Sequence, residues 1–337
     1  MGDCMPKNSV MVLAALLAFA ILSTSCATPT PTPEPTPTIE PTTPPEPTAT
    51  PVPPPPLGTI DHPIVMGFVP SNSSPDVLTG GEALAKQISD LSGYPLVAKT
   101  AESYRSLVES MGTGEVQVGW LETFAYTLAR EKGFAEIGLV TVRSGADQYG
   151  FQLIAHVDSA FSPSSDPATA LAQLKDRKPC WVDMSDPSGY VMPLGFLRKF
   201  NVPIKTGNAA AYLGSHPSVV RAVYAKGICD FGGTFIDART SPAIQKDLPD
   251  AMDKVMVIYT SEPFIPKDTV SFASDLPTEA RAKIMKALLE ITETQAGKAT
   301  LKTVFQVDGL KAADDNLFDE FRVYLAASGL DLATLVK

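Results

Sequence analysis

The stretch Ser185–Pro193, SDPSGYVMP, follows the apolar run CWVDM and precedes the helical pattern MPLGFLRKF, so it reads as a strand-to-helix loop. Pro193 suits a first helical turn. The unpaired N–H groups of such a turn, the Ser188 hydroxyl and the close backbone approach possible at Gly189 would together suit an anion. Asp186, in the middle of the loop, opposes that use. By itself, a Ser-Gly helix start more often marks a cap than a binding site. A second loop, GSHPSVVRAVYAKGICDFGG, starts a helix at Ser215 or His216, with Pro217 in its first turn. His216 is one of only three histidines, and a histidine at a helix start is more often structural than ligand-binding. Tyr104 in SYRSLVESM, and Trp120 and Tyr126 in GWLETFAYTLA, stand at similar points earlier in the chain; taken singly, each reads as packing.

Catalytic patterns are missing. The chain has no Gly-x-Ser-x-Gly elbow, no phosphate-binding P-loop, no His-Glu-x-x-His and no cysteine-histidine spacing suited to a metal. Ser188, His216 and Asp237 are the right types for a triad, but nothing in their spacing shows mutual reach. The expectation is a binding protein, with no catalysis and no cofactor or metal.

The elements that must position these residues alternate. From Pro63 onward, short apolar runs (IVMGFV, PLVAK, VQVGWL) are each followed by an amphipathic helical stretch, and after the extended GFQLIAHVD the same unit resumes. This predicts an α/β fold. Two extended crossings, near Tyr149–His156 and Val255–Ile265, would let one lobe be inserted in another: 59–152 with 260–337 as lobe 1, and 153–259 as lobe 2. Ligands of open α/β sheets bind beyond the C-terminal strand ends, which places the chemistry in the loops between lobes.

The N-terminus predicts where the protein works. Val10–Leu22 is an apolar run too short to span a bilayer comfortably, led by Lys7 and followed by Ser23, Thr24, Ser25 and Cys26. Residues 1–26 thus read as a lipoprotein signal with Cys26 the lipidated residue, although Ser23 stands where such boxes prefer leucine; a start at Met5 instead of Met1 would make the leader more basic. The Pro/Thr-rich segment that follows, 27–58, reads as a tether: its stretch Ala27–Pro56 cannot form a core and favours polyproline II, able to reach about 90 Å at about 3.1 Å per residue. Net charge is −10, with 37 acidic against 27 basic side chains and no basic block. Nucleic acid and anionic membrane surfaces are therefore poor partners. Of four cysteines, Cys4 leaves with the signal and Cys26 is the lipid site. Cys180 and Cys229 lie in apolar strand-like runs and read as two separate buried small hydrophobes, a disulfide being the lesser alternative.

The stretches SYRSLVESMGTGEVQVGWLETFAYTLAREKG, DPSGYVMPLGFLRKF, GSHPSVVRAVYAKGICDFGGTFID and VIYTSEPFIPKD, in that order, resemble the phosphonate, phosphite and phosphate binding proteins of ABC importers. The resemblance covers about Ile64 to Phe305. It implies the two-lobed periplasmic binding protein type II fold, each lobe a mixed sheet flanked by helices, in a monomer that passes a small oxyanion to a membrane permease. It also implies site residues: tyrosines at Tyr104 and Tyr126, an anion loop at Asp186, Pro187, Ser188, Gly189 and Tyr190, a histidine at His216, and acids at Asp237 and Asp268. The sequence departs from the family where Asp186 and Pro187 replace two hydroxyls and Glu122-Thr123 replaces Gly-Pro. A carboxylate about 4 Å from a unit negative charge costs on the order of 4 kcal/mol at an effective dielectric of about 20. Asp186 is thus expected to point out of the cleft, to be protonated, or to face a cationic part of the ligand. The alternatives that follow are the same fold holding a sulfonate, a thiamine-like pyrimidine or a zwitterionic amine, and a sensor lipoprotein.

Overall fold

The computed structural model describes residues 55–337. The expected signal with Cys4 and Cys26, and the tether up to residue 54, lie outside the described residues. The last expected tether residues, 55–58, join the fold: Leu57 packs against the first-lobe core, and the Gly58 N–H donates to the His62 carbonyl at 2.8 Å.

The first lobe is built from β1 (Ile64–Phe68), α1 (Pro75–Ser92), β2 (Leu96–Thr100), α2 (Tyr104–Gly112), β3 (Val118–Leu121), α3 (Thr123–Glu131) and β4 (Ala135–Val142). Local chemistry sets the helix ends. Ser74 caps α1 with Pro75 in its first turn, and Gly93 closes it in the left-handed region at φ 77°. Val77, Leu84 and Ile88 form its buried stripe. At α2, Ser103 and Ser106 form a reciprocal capping box. β5 (Gln148–Tyr149) then leads into the second lobe: β6 (Phe151–His156), α4 (Pro167–Ala172), β7 (Pro179–Trp181), α5 (Met192–Lys199), β8 (Ala211–Tyr212), α6 (His216–Ala225), β9 (Phe231–Phe235), α7 (Pro242–Asp247), α8 (Ala251–Lys254) and β10 (Val255–Thr260). The return passes through β11 (Ile265–Pro266) to β12 (Thr269–Ala273), α9 (Thr278–Glu293), α10 (Gln295–Phe305), β13 (Gly309–Ala312), α11 (Asp319–Ser328) and α12 (Leu332–Leu335).

Two mixed sheets result. The first has the order β13-β4-β12-β3-β1-β2, with β1 parallel to β2 and β3 and with β12 antiparallel to its neighbours; the second has the order β10-β6-β9-β7-β8. The two crossings run side by side, because β5 pairs antiparallel with β11 and β6 with β10. The C-termini of β3 and β4 face the same way, so the loops after them share one edge of the sheet.

Segment 260–337, grouped with the first lobe from sequence, does not stay there throughout. α11 packs along α5, with Tyr324 stacked on Phe196 at 3.7 Å and Arg198 donating to the Ser328 carbonyl. Gly195 permits this approach, since a Cβ there would collide with the Tyr324 backbone. One continuous apolar core accordingly runs from α2 and α3 through Phe151 to Trp181, Phe196 and Phe321.

The cysteine expectation is corrected. Cys180 and Cys229 form a disulfide, not two separate thiols. β7 and β9 are adjacent and parallel, and Cys229 lies just before β9, so the two Cα atoms stand 5.6 Å apart, within bridging range.

Candidate functional site

A cavity of about 310 Å³ lies between the lobes. Lobe 1 contributes Thr123, Arg143, Tyr149, Lys267 and Asp268; lobe 2 contributes Asp186, Ser188, His216, Phe235 and Ile236. A cavity of about 250 Å³ at the far end of β6, beside His156 and Cys229, collects none of the expected residues.

The lobe 2 wall is organised by Asp186. Residues 187–191 form a wide helical turn that runs into α5, and Asp186 caps it, its Oδ1 accepting from the Gly189 N–H at 2.5 Å and from the Ser188 hydroxyl at 3.3 Å. Gly189 is required, because a Cβ would overlap the Val182 side chain and lie 2.9 Å from Asp186 Oδ1. The other Asp186 oxygen, Oδ2, is 3.2 Å from His216 Nε2. The Phe235 N–H donates to His216 Nδ1 at 3.2 Å, so Nδ1 carries the lone pair and the neutral ring holds its proton on Nε2, aimed at Asp186. Ser215, and not His216, caps α6. Of the three arrangements expected of Asp186, the structure excludes one: it does not point out of the cleft but faces it, with protein donors already around it. The loop amide that an anion would use is occupied by the protein's own carboxylate.

Of the two helix starts near the cleft on the lobe 1 side, one is likewise spoken for and one is not. The Tyr104 N–H at the start of α2 donates to the Lys337 carbonyl at 2.8 Å. Glu122 occupies the N-cap position of α3 without a capping hydrogen bond. Burial, reinforced by the charge of Asp268, pushes its carboxyl up to about 8. Burial also raises Asp268, against the pull of Arg143 and Lys267, although Arg143 bonds it directly. The Tyr149 phenol is raised by burial and by Asp186, Asp268 and Glu122, and Lys267 lies over its ring at 5.1 Å. The cleft lining thus combines two acids, Asp186 and Asp268, with Arg143, Lys267 and His216, and Glu122 adjoins it through Thr123.

The remaining expected residues are placed differently. Tyr126 is fully buried in α3, against Phe318, and its hydroxyl donates to Asp315 at 2.6 Å, away from the cleft. Position 126 lies on the face of α3 turned to the C-terminal segment. Asp237 is bonded to Arg239 and Gln152; despite burial, these hold its carboxyl below the ordinary value. Tyr190 packs between Trp181 and Tyr212 and supports the loop from behind. Tyr104 lines a neighbouring compartment, joined to the cleft at Arg143 and Asp268. Arg143, Tyr149 and Lys267 were missed in the sequence. The rule that ligands sit beyond strand ends, applied to β4 as it was to β3, would have found Arg143.

Residues 66–318 match the family described as the ABC transporter, phosphonate, periplasmic substrate-binding protein. The chain is 27% identical over 183 residues to the phosphate-import protein PhnD of Mycolicibacterium smegmatis, covering 51% of this chain and 54% of that protein. It therefore spans about half the length of this curated relative. Among solved structures, XAC2383 from Xanthomonas citri bound to ATP superposes with a TM-score of 0.60 at 16% identity, covering 81% of this chain and 99% of the other. PhnD1 from Prochlorococcus marinus, in complex with methylphosphonate, superposes with a TM-score of 0.53 at 17% identity, covering 77% and 96%. At such identities the likeness concerns the fold, that of type II periplasmic binding proteins. With three quarters of its length inside the family match, the chain belongs to the family of periplasmic substrate-binding proteins of phosphonate ABC transporters.

Proposed function

We propose that the protein is the extracytoplasmic solute receptor of an ABC importer, held to the membrane through a lipidated Cys26 and delivering its ligand to a permease. Its ligand is a small zwitterion: an oxyanion pole facing Arg143 and Lys267, and a cationic, hydrogen-bond-donating pole facing Asp186, Glu122 and Asp268. The observation that carries this reading is the Asp186 carboxylate on the Gly189 N–H, with the Ser188 hydroxyl and His216 Nε2 beside it. A ligand's dianion placed there would meet a carboxylate in the position where the family's loop supplies donors. A ligand ammonium would find an oriented acceptor instead, and Glu122, raised to about 8, would lose its proton as that cation arrived.

An aminoalkylphosphonate satisfies both poles and the family's name. Calorimetric titration with 2-aminoethylphosphonate, methylphosphonate, phosphite and phosphate is the test. The amine-bearing compound should bind at least about tenfold more tightly than methylphosphonate, with proton release between pH 6 and 8. Tighter binding of methylphosphonate or phosphate would overturn the zwitterion assignment. In the double variant Asp186→Ser, Pro187→Thr the preference should shift toward the simple oxyanions.

A further inference from the structure

The cleft does not end at Arg143 and Asp268. Beyond them lies a compartment of about 190 Å³, lined by Tyr104, Trp120, Thr141 and Phe305 as well as by that pair. Among the described residues, five buried side-chain polar atoms have no hydrogen-bond partner. Three of them, Trp120 Nε1, Thr141 Oγ1 and Arg143 Nε, belong to residues lining this one compartment. Trp120 is 4% exposed and Thr141 fully buried. Buried polar groups in folded proteins are almost always paired, so three orphans at one cavity point to a missing partner. An indole N–H and a guanidinium N–H can only donate, and a hydroxyl can do either. The missing partner is therefore an acceptor.

Other features narrow its chemistry. Trp120 lies flat on Phe305, ring centroids 3.6 Å apart, giving an apolar plate beside the donors. Asp268 borders the compartment and opposes a dianion, while Arg143, partly neutralised by Asp268, can still favour a single negative charge. The volume exceeds the share of one water, about 30 Å³. We propose that this compartment is a second subsite, taking a carboxylate or carbonyl group that the ligand carries beyond the Arg143–Asp268 pair. This inference rests on the receptor reading and extends it from a two-pole to a three-pole ligand.

The test uses two probes that differ by one carboxylate, 2-aminoethylphosphonate and 2-amino-3-phosphonopropionate, against the wild type, Trp120→Phe and Thr141→Val. The affinity ratio should favour the carboxylated probe in the wild type and fall about tenfold in Trp120→Phe, with a smaller fall in Thr141→Val. Only the carboxylated probe should change the emission that is lost in Trp120→Phe. A ratio that neither substitution moves overturns the subsite, whatever becomes of the receptor reading. If neither probe binds, the zwitterion reading fails alone, and ligand-free melting decides the subsite. Thr141→Val removes an unpaired hydroxyl and should raise the melting temperature by about 2 °C or more. No rise, or a fall, would mean that the hydroxyl has a partner within the protein and that no acceptor is missing.

Discussion

The two walls of the cleft treat buried polarity in opposite ways. On the lobe 2 side, Asp186 is surrounded by the Gly189 N–H, the Ser188 hydroxyl and the proton of His216, and the layer behind it is stapled by Cys180–Cys229. On the lobe 1 side, Glu122 and Asp268 are raised by burial, and the Trp120 indole N–H and the Thr141 hydroxyl have no hydrogen-bond partner. Around Asp186 the polar groups are paired before any ligand arrives; around Trp120 and Thr141 they are left unsatisfied. A satisfied network gives rigidity and orientation, whereas an unsatisfied one leaves free energy to be recovered when a partner enters. Lobe 2 should therefore determine which pole of a ligand is accepted, and lobe 1 how strongly the ligand is held.

The largest test of this asymmetry removes the staple. Cys180→Ser with Cys229→Ser opens a loop of sequence separation 49 and should cost about 4 kcal/mol on the chain-entropy estimate, measured by urea denaturation. If lobe 2 is the pre-formed half, its reporter Trp181 should lose native emission at lower urea than Trp120. Simultaneous loss would mean that the core shared through Phe151 and Phe196 overrides the division. Gly189→Ala comes next. Its Cβ would overlap Val182 and press on Asp186, so about 2–3 kcal/mol of stability and most ligand affinity should disappear.

Glu122→Gln addresses the unfinished wall. The folded protein holds the Glu122 proton up to about pH 8, whereas the unfolded chain releases it near 4.5, so the wild type should lose stability as the pH rises through that interval. Glu122→Gln should flatten the slope and add about 1–3 kcal/mol at pH 8, read from melts at pH 5, 6.5 and 8. Stability that rises with pH in the wild type would contradict the assignment. The smallest expected effect is that of Asp186→Asn. Asparagine caps a helix start about as well as aspartate, so stability should change by less than about 0.5 kcal/mol while affinity for an ammonium-bearing ligand falls. Loss of stability with affinity retained would make Asp186 a structural cap alone.

Much of this arrangement was legible in the chain. The alternation of apolar runs and amphipathic stretches marks the βα units, and Ser74-Pro75, Ser103 and Ser215-Pro217 mark three helix starts, because caps are local chemistry. The loop Asp186–Tyr190 was found for the same reason. Tyr126 and Asp237 were equally plausible from their positions, yet one faces Phe318 and Asp315 and the other Arg239. Those choices depend on which segment packs against the residue. The disulfide went against the expectation of two separate cysteines because a separation of 49 residues says nothing about Cα distance until β7 and β9 are neighbours.

The sequence by itself determined the family, the two-lobed α/β layout and the lobe 2 loop, since these rest on period, caps and the order of motifs along the chain. Only the tertiary structure decided that Asp186 occupies its own loop's amide, that Arg143, Tyr149 and Lys267 join the site, and that α11 lies on α5. The physical reason is that a hydrogen-bond donor has a type in the sequence but acquires a partner only in space. Which donors end up satisfied and which remain open, and hence what a cleft can hold, follows from packing between segments distant in the chain.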